Sequence, residues 1–358
     1  RRRHTRYISV TGVQTCALPI LLTPETIAAS DLTITMGCGE NCPYVPGATY
    51  RDWPLEDPKG QDDATVRRIV ADIDGRVRAL IAEHRPIEAM ACHSPLSAKL
   101  AVEAGFEALW ASGFELSALY GLGDVGLVSA SEHLEMTRRM VERTGGLVIA
   151  DLDTGAGNAV NLAYGVEAYE RAGCAAIVVE DKDFPKMTSL IEGGRQELIT
   201  TAEYVGKIEA ALSVRKSMLI CARTEAFVAG LGEDEALRRG EAYAEAGADL
   251  LLVHSKAKTS AEIEGFIARW SGRCPLMIVP TNFPEFGRAA AAASGKVGVV
   301  IWANHAVRSA VQGMREAFAA IRAAGSAAPV ESRIASTKDI FDLQEMERVE
   351  ALETHYLR

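Results

Sequence analysis

From residue 88 onward the chain repeats one rhythm: a short apolar run, then a longer stretch whose apolar residues recur every three or four positions. The short runs fall at 88–92, 107–111, 147–151, 175–180, 218–223, 249–254, 275–279 and 297–302, and each has the length of a buried strand. The stretches between them predict amphipathic helices, for example over 95–104, 160–172, 197–212, 234–246 and 261–270. Gly105, Gly173 and Gly247 stand where three of these helices stop. Eight strands with helical crossovers predict an α/β fold, a closed parallel (β/α)8 TIM-type barrel over 86–325. A doubly wound sheet is the alternative, but no G-x-G-x-x-G follows the first strand.

Three flanking segments break the rhythm. Residues 1–20, RRRHTRYISVTGVQTCALPI, join an Arg cluster to an apolar part too short and interrupted for a signal peptide, and the wording resembles a translated sequencing-library adapter. Residues 21–85 predict a short strand at 32–36, a Gly/Cys/Pro loop, Trp-Pro and Asp-Pro turns, and a helix with apolar positions at 66, 69, 70, 73, 77, 80 and 81. The texture changes sharply at Arg85-Pro86, where a domain boundary is expected. Residues 326–358 read as an extra amphipathic C-terminal helix, whose Ile340, Phe341, Leu343, Met346 and Val349 form an apolar stripe in need of cover.

Composition narrows the class without naming a reaction. The chain has 358 residues, 48% hydrophobic and 24% charged. Mean hydropathy is +0.04, and the apolar runs are strand-sized, so a globular protein without a membrane span is expected. A formal charge of −10 disfavours nucleic acid and anionic lipid as partners, and a small anionic substrate would need local cations. Seven Cys, an odd number in mostly apolar contexts, read as reduced intracellular thiols and point to the cytoplasm. Cys174 and Cys221 are expected to be core fillers.

Polar residues collect where each predicted strand ends. Ser94 and Ser112 follow the first two; Asp151 and Asp153 close the third, Glu180 and Asp181 the fourth, Arg223 and Glu225 the fifth. His254, Ser255 and Lys256 come at the sixth, Thr281 and Asn282 at the seventh, Asn304 and His305 at the eighth, with Asn304 a natural helix N-cap. In a barrel all of these reach the C-terminal mouth, the usual seat of chemistry. Asp124, Asp151, Asp153 and Glu180 would repel one another there: two like charges about 5 Å apart cost roughly 3 kcal/mol at an effective dielectric of about 20. Protons or a divalent cation must offset this, and an all-oxygen set favours Mg2+ over zinc.

The stretches GFEALWASGFELSALYGLGD, ADLDTGAGN, VVEDKDFPKMTSL, CARTEAFVAGLGEDEALRRGEAY, AGADLLLVHSKAKT and VIWANHAVRSAV together resemble, in order, the isocitrate lyase and phosphoenolpyruvate mutase superfamily over about 88–358. The resemblance implies Mg2+ as cofactor, with Mn2+ or Co2+ as substitutes. It implies Asp151 as a direct ligand and Asp124, Asp153 and Glu180 as ligands through water. It also implies that Ser112 and the Gly113 N–H hold a keto-acid end, that Arg223 and His254 grip a phosphoryl group, and that Lys186, Thr188 and Ser189 belong to a gating loop. The superfamily's carbon–carbon lyases carry a Cys in that loop; here there is none. Its mutases read Lys-x-Asn-Ser, whereas this chain reads Lys186-Met187-Thr188-Ser189, the pattern of the branch that hydrolyses the P–C bond of 3-phosphonopyruvate. Hydrolysis to pyruvate and phosphate is therefore the expected activity, with isomerisation to phosphoenolpyruvate the alternative and a lyase less favoured. Terminal helices of this superfamily pack between subunits, which implies a homodimer or homotetramer.

Residues 21–85 resemble the C-terminal half of arsenate reductases of the low-molecular-weight phosphotyrosine phosphatase type. There Asp57 would be the general acid, and Cys38 and Cys42 would be candidates for redox exchange or metal binding. The family's C-x5-R phosphate loop does not precede the segment, so Asp57 is expected to be a turn residue.

Overall fold

Each strand of the barrel alternates two kinds of neighbour, and that alternation builds everything above it. In the computed structural model, residues 86–191 and 193–357 are described, together with 33–35, 45, 50–52, 61, 62, 64, 65 and 68. The chain divides into two units, 1–81 and 82–358. In the first, β1 (Thr33–Thr35) pairs in parallel with β2 (Tyr50–Asp52), and Val45 N donates to the Tyr50 hydroxyl at 2.8 Å. Residues 1–20, Cys38, Cys42 and Asp57 lie outside the described residues.

The second unit contains β3 (Ile87–Cys92), β4 (Ala108–Ala111), β5 (Leu147–Asp151), β6 (Ala176–Glu180), β7 (Leu219–Thr224), β8 (Leu250–Val253), β9 (Leu276–Ile278) and β10 (Val297–Trp302). All neighbours are parallel, and β10 pairs with β3 to close the barrel. All eight strands meet the predicted runs within one residue at either end. Between them run α1 (Pro95–Glu103), α2 (Gly113–Leu119), α3 (Ala130–Thr144), α4 (Ala159–Arg171), α5 (Thr201–Val214), α6 (Gly232–Glu245), α7 (Ala261–Arg269), α8 (Arg288–Ser294) and α9 (His305–Ala324).

Strand side chains sort by parity. Trp110, Ile149, Ala176, Val178, Cys221, Leu250, Leu252, Met277, Val279, Val299 and Ile301 form one buried cluster drawn from successive strands, the fill of the barrel. The alternate strand residues, such as Ala150, Ile177, Val179, Ile220, Leu251, Val253 and Val300, join helix residues Leu162, Tyr204, Ile208, Tyr243 and Phe266 in the larger cluster between sheet and helices. Truncating a fully packed side chain such as Trp110 to Ala would cost about 3–5 kcal/mol. Cys92, Cys174 and Cys221 are buried free thiols, in keeping with a core-filling role for Cys174 and Cys221.

Two expectations are corrected. The helix read from 197 starts at Thr201, because residues 197–199 are used otherwise: Glu197 O accepts from Asp183 N, Ile199 N donates to Asp181 O, and Thr200 caps the helix through Glu203 N. The C-terminal tail is two helices rather than one, α10 (Thr337–Gln344) and α11 (Met346–Tyr356), broken at Glu345 with φ +60°. Lys99 on α1 holds this break, its Nζ reaching Leu343 O at 2.6 Å and Glu345 Oε1 at 2.8 Å. Ile340, Phe341, Val349, Leu352, Tyr356 and Leu357 remain exposed in the single chain. No described helix is long and apolar enough to cross a membrane.

Candidate active site

The inward parity of the strands continues past their ends. Counting in twos from the buried Trp110, Ile149, Val178, Cys221 and Leu252 reaches Ser112, Asp151, Glu180, Arg223 and His254. Ser112, Asp151, Arg223 and His254, with Asp124, Lys186, Thr188, Ser189 and Asn304, line one cavity at the C-terminal mouth, and Glu180 is buried 3.4 Å from Arg223 Nη2. Most predicted site residues are thus brought together. Gly113 and Asp153 are close neighbours: a Cβ on Gly113 would sit 3.1 Å from Asp153 Oδ1, a tight contact that would press on this carboxylate.

One side of the mouth is acidic. Asp153 has a left-handed backbone, φ +49°, a conformation that costs a non-glycine residue about 1–3 kcal/mol unless its surroundings enforce it. They do: Asp153 O accepts from Glu180 N at 2.7 Å, and the buried Lys207 ammonium binds the Thr154 and Gly157 carbonyls of the same loop. Glu180 is 1% exposed, yet neither carboxylate oxygen accepts a hydrogen bond. Burial, against the pull of Arg223, pushes its carboxyl up to about 7. Burial, helped by Asp151 and Asp124, pushes Asp153 up to about 6 although Lys186 opposes it, and Asp151 is also raised by burial.

The repulsion expected among these carboxylates is met by two fixed cations as well as by raised carboxyl pKa values. Lys186 Nζ lies 2.8 Å from Asp124 Oδ1 and 2.5 Å from Asp153 Oδ1. Arg223 comes within 3.4 Å of Glu180 and 3.9 Å of Asp151. Burial opposes the charge on Lys186, but the surrounding carboxylates outweigh it and hold the ammonium well above its ordinary range. Among the described residues no three His, Cys, Asp or Glu side chains converge closely enough to grip one metal ion. The donor set still fits a hard cation, because it is all oxygen and the buried Glu180 oxygens have no hydrogen-bond donor.

The opposite side is saturated with partners. Glu225, fully buried, holds Arg223 Nε at 2.6 Å and His254 Nδ1 at 2.9 Å with Oε1. Its Oε2 accepts from Ser189 Oγ at 2.6 Å and lies 3.4 Å from Lys182 Nζ. Burial would raise Glu225, but Arg223 and His254 hold it well below the usual carboxylate range; burial lowers His254 despite Glu225 beside it. Beneath this, Asp181 accepts from Glu225 N at 2.9 Å, Thr224 Oγ1 at 3.1 Å, Arg239 Nη1 at 3.1 Å and Tyr243 OH at 2.8 Å.

The gating segment lies over both sides. Its base is closed by an antiparallel bridge between Lys182 and Leu198. Lys182 Nζ donates to Met187 O at 2.9 Å and Ser189 Oγ at 2.6 Å, and Gln196 Nε2 to Thr188 O at 3.0 Å. Lys186 and Ser189 are buried while Phe184 and Ile191 face outward.

Several mouth residues also have structural partners. Asn304 occupies the N-cap position of α9 but makes no capping bond; its Oδ1 accepts from Arg308 and the residue lines the cavity. Ser112 caps α2 through Glu115 N at 3.1 Å. His93 is paired with the buried Glu115 at 3.0 Å, which also accepts from Val307 N. Lys182 was not among the residues expected at the mouth, and Glu225 was expected there with no role assigned; the Arg223-x-Glu225 spacing, two residues along one strand end, was the available signal.

The sequence profile described as "Phosphoenolpyruvate phosphomutase" matches residues 77–322. The chain is 50% identical over 284 residues to phosphonopyruvate hydrolase of Variovorax sp. (strain Pal2), covering 79% of this chain and 98% of that one. It is 40% identical over 270 residues to phosphoenolpyruvate phosphomutase of Tetrahymena pyriformis, covering 75% and 90%. A crystal structure of phosphonopyruvate hydrolase in complex with oxalate and Mg2+ superposes with a TM-score of 0.74 at 48% identity, over 80% of this chain and 99% of that one.

Proposed function

The chain belongs to the phosphoenolpyruvate phosphomutase family, and from that premise we propose that it hydrolyses the P–C bond of 3-phosphonopyruvate to pyruvate and phosphate. The observation that carries the reading is Thr188 in the cavity wall with Arg223 and His254. A mutase must return the phosphoryl group to the enolate oxygen; a short hydroxyl side chain leaves room for a water and a partner to orient it. The higher identity to a hydrolase than to a mutase supports the same choice.

Asp124, Asp151, Asp153 and Glu180 would hold Mg2+, which when bound supplies positive charge against the keto-acid end of the substrate. Ser112 and the Gly113 N–H orient that end. Arg223 holds the phosphoryl group, with His254 beside it on the same side of the cavity, and the group passes through a loose, metaphosphate-like transition state. The P–C bond breaks with its electron pair left on C3, the water oxygen bonds to phosphorus, and C3 takes a proton to give pyruvate. Lys186, brought in by the gating segment with Ser189, excludes bulk water from the closed mouth.

The barrel, 86–325, is the proposed catalytic domain, and the exposed apolar residues of 326–358 are proposed to be covered in a homodimer or homotetramer in the cytoplasm. Residues 1–85 lie outside the proposed machinery, so a chain lacking them should keep P–C cleavage. The deciding experiment follows phosphonopyruvate with the protein and Mg2+ by 31P NMR. Orthophosphate together with pyruvate is expected; phosphoenolpyruvate as the product would overturn the reading.

A further inference from the structure

We propose that Glu225 is a positioning residue for this reaction: it fixes the His254 ring with its proton on Nδ1, leaves Nε2 as a hydrogen-bond acceptor for the attacking water, and clamps Arg223 beside it. The inference rests on the hydrolytic reading above.

The case is one of donor and acceptor accounting. His254 Nδ1 has two neighbours, Glu225 Oε1 at 2.9 Å and Arg223 Nη2 at 3.0 Å. A guanidinium only donates and an ionised carboxylate only accepts, so both cannot bond to the same nitrogen in one tautomer. Arg223 Nη2 has another acceptor, Ser189 Oγ at 3.4 Å, and an ion-pair neighbour in Glu180 Oε2 at the same distance. Glu225 Oε1 has no other route to the ring, and a charge-assisted N–H···O bond is the stronger of the two choices. The proton therefore belongs on Nδ1. Nε2 has no hydrogen-bond partner among the described residues, and the ring lines the cavity. His254 then supplies an acceptor, and the positive charge at the phosphoryl group comes from Arg223.

Glu225 is itself fixed from below, its N–H held by Asp181, and its second oxygen reaches Ser189 and Lys182 of the gating segment. One carboxylate thus ties ring, guanidinium and gate together. A side chain that sets the tautomer of a working histidine usually changes activity by about 10–100-fold when replaced.

The test uses 15N-labelled full-length protein. In the wild type the His254 ring, identified by its loss in His254→Asn, should show a protonated Nδ1 and a bare Nε2; the opposite tautomer would overturn the proposal without any variant. In Glu225→Gln, kcat for orthophosphate release should fall about 100-fold. Mg2+-dependent oxalate binding, measured by calorimetry at the far side of the mouth, should stay within about threefold. A kcat within twofold of wild type, or an equal loss of oxalate binding, would refute a positioning role. If the wild type releases no orthophosphate, the hydrolytic reading fails on its own, and the ring spectrum still decides what Glu225 does.

Discussion

The two sides of the barrel mouth handle buried charge in opposite ways. Around Glu225 every carboxylate oxygen has a donor, and the network extends through Asp181, Arg239 and Tyr243 into the helix layer. Around Glu180 the oxygens are equally buried and have none. An unpaired buried polar group costs about 1–3 kcal/mol, more when charged, so the acidic side would gain from a bound cation, whereas the other side is complete without a ligand. On the proposed function, that contrast separates a preformed grip from the side that would receive the cation.

The largest effect expected from it is on the acidic side. Stripping divalent cations with EDTA should reduce orthophosphate release to background, and adding Mg2+ should restore it; activity undiminished after exhaustive chelation would erase the distinction between the two sides. Next, Glu180→Gln, which keeps the volume and removes the charge, should lower kcat/KM about 100-fold and raise the Mg2+ concentration needed for half activity. A change in kcat alone, with the Mg2+ requirement untouched, would place Glu180 outside the cation site.

Thr188→Asn tests the seam between the sides and should reduce hydrolysis about tenfold, a change of about 1.4 kcal/mol in the barrier. The same 31P experiment would reveal any phosphoenolpyruvate formed; unchanged hydrolysis would remove Thr188 from the argument. The smallest effect is on stability. Asp153 and Glu180 titrate near 6 and 7 in the folded chain, above their ordinary 3.8 and 4.5. Between those limits the folded state binds more protons than the unfolded one, so without divalent cations stability should fall as pH rises from about 4 to about 7. Melting curves at pH 5 and pH 8 should differ by a few degrees, and Mg2+ should narrow the gap.

Much of this was legible in the chain before any coordinates, for a physical reason. A strand's two-residue period sets which side chain points into the barrel, and the C-terminal ends all face one mouth, so Asp151, Glu180, Arg223 and His254 could be placed there from spacing alone. Glu225 and Lys182 were harder. Their partners lie far along the chain, His254 and Arg223 for one, Ser189 and Met187 for the other, and a charged residue just past a strand reads as solvated until the gating segment covers it. The start of α5 had a signal that went unused, Thr200 three residues before Glu203. The break at Glu345 had none, since a glutamate in the left-handed region is set by its tertiary partner Lys99.

The ammonium of Lys186 between Asp124 and Asp153 has a thermodynamic corollary. With all four acidic side chains ionised, Lys186 and Arg223 leave two negative charges at the mouth, the complement of one divalent ion. Were the proposed gating segment to withdraw, one of those cations would leave and the local potential would deepen, so an open segment would favour cation entry. By reciprocity, a bound cation must weaken the hold of the acidic groups on Lys186 by the same factor. Segment position and cation affinity are therefore two readings of a single coupling free energy, and either can be used to measure the other.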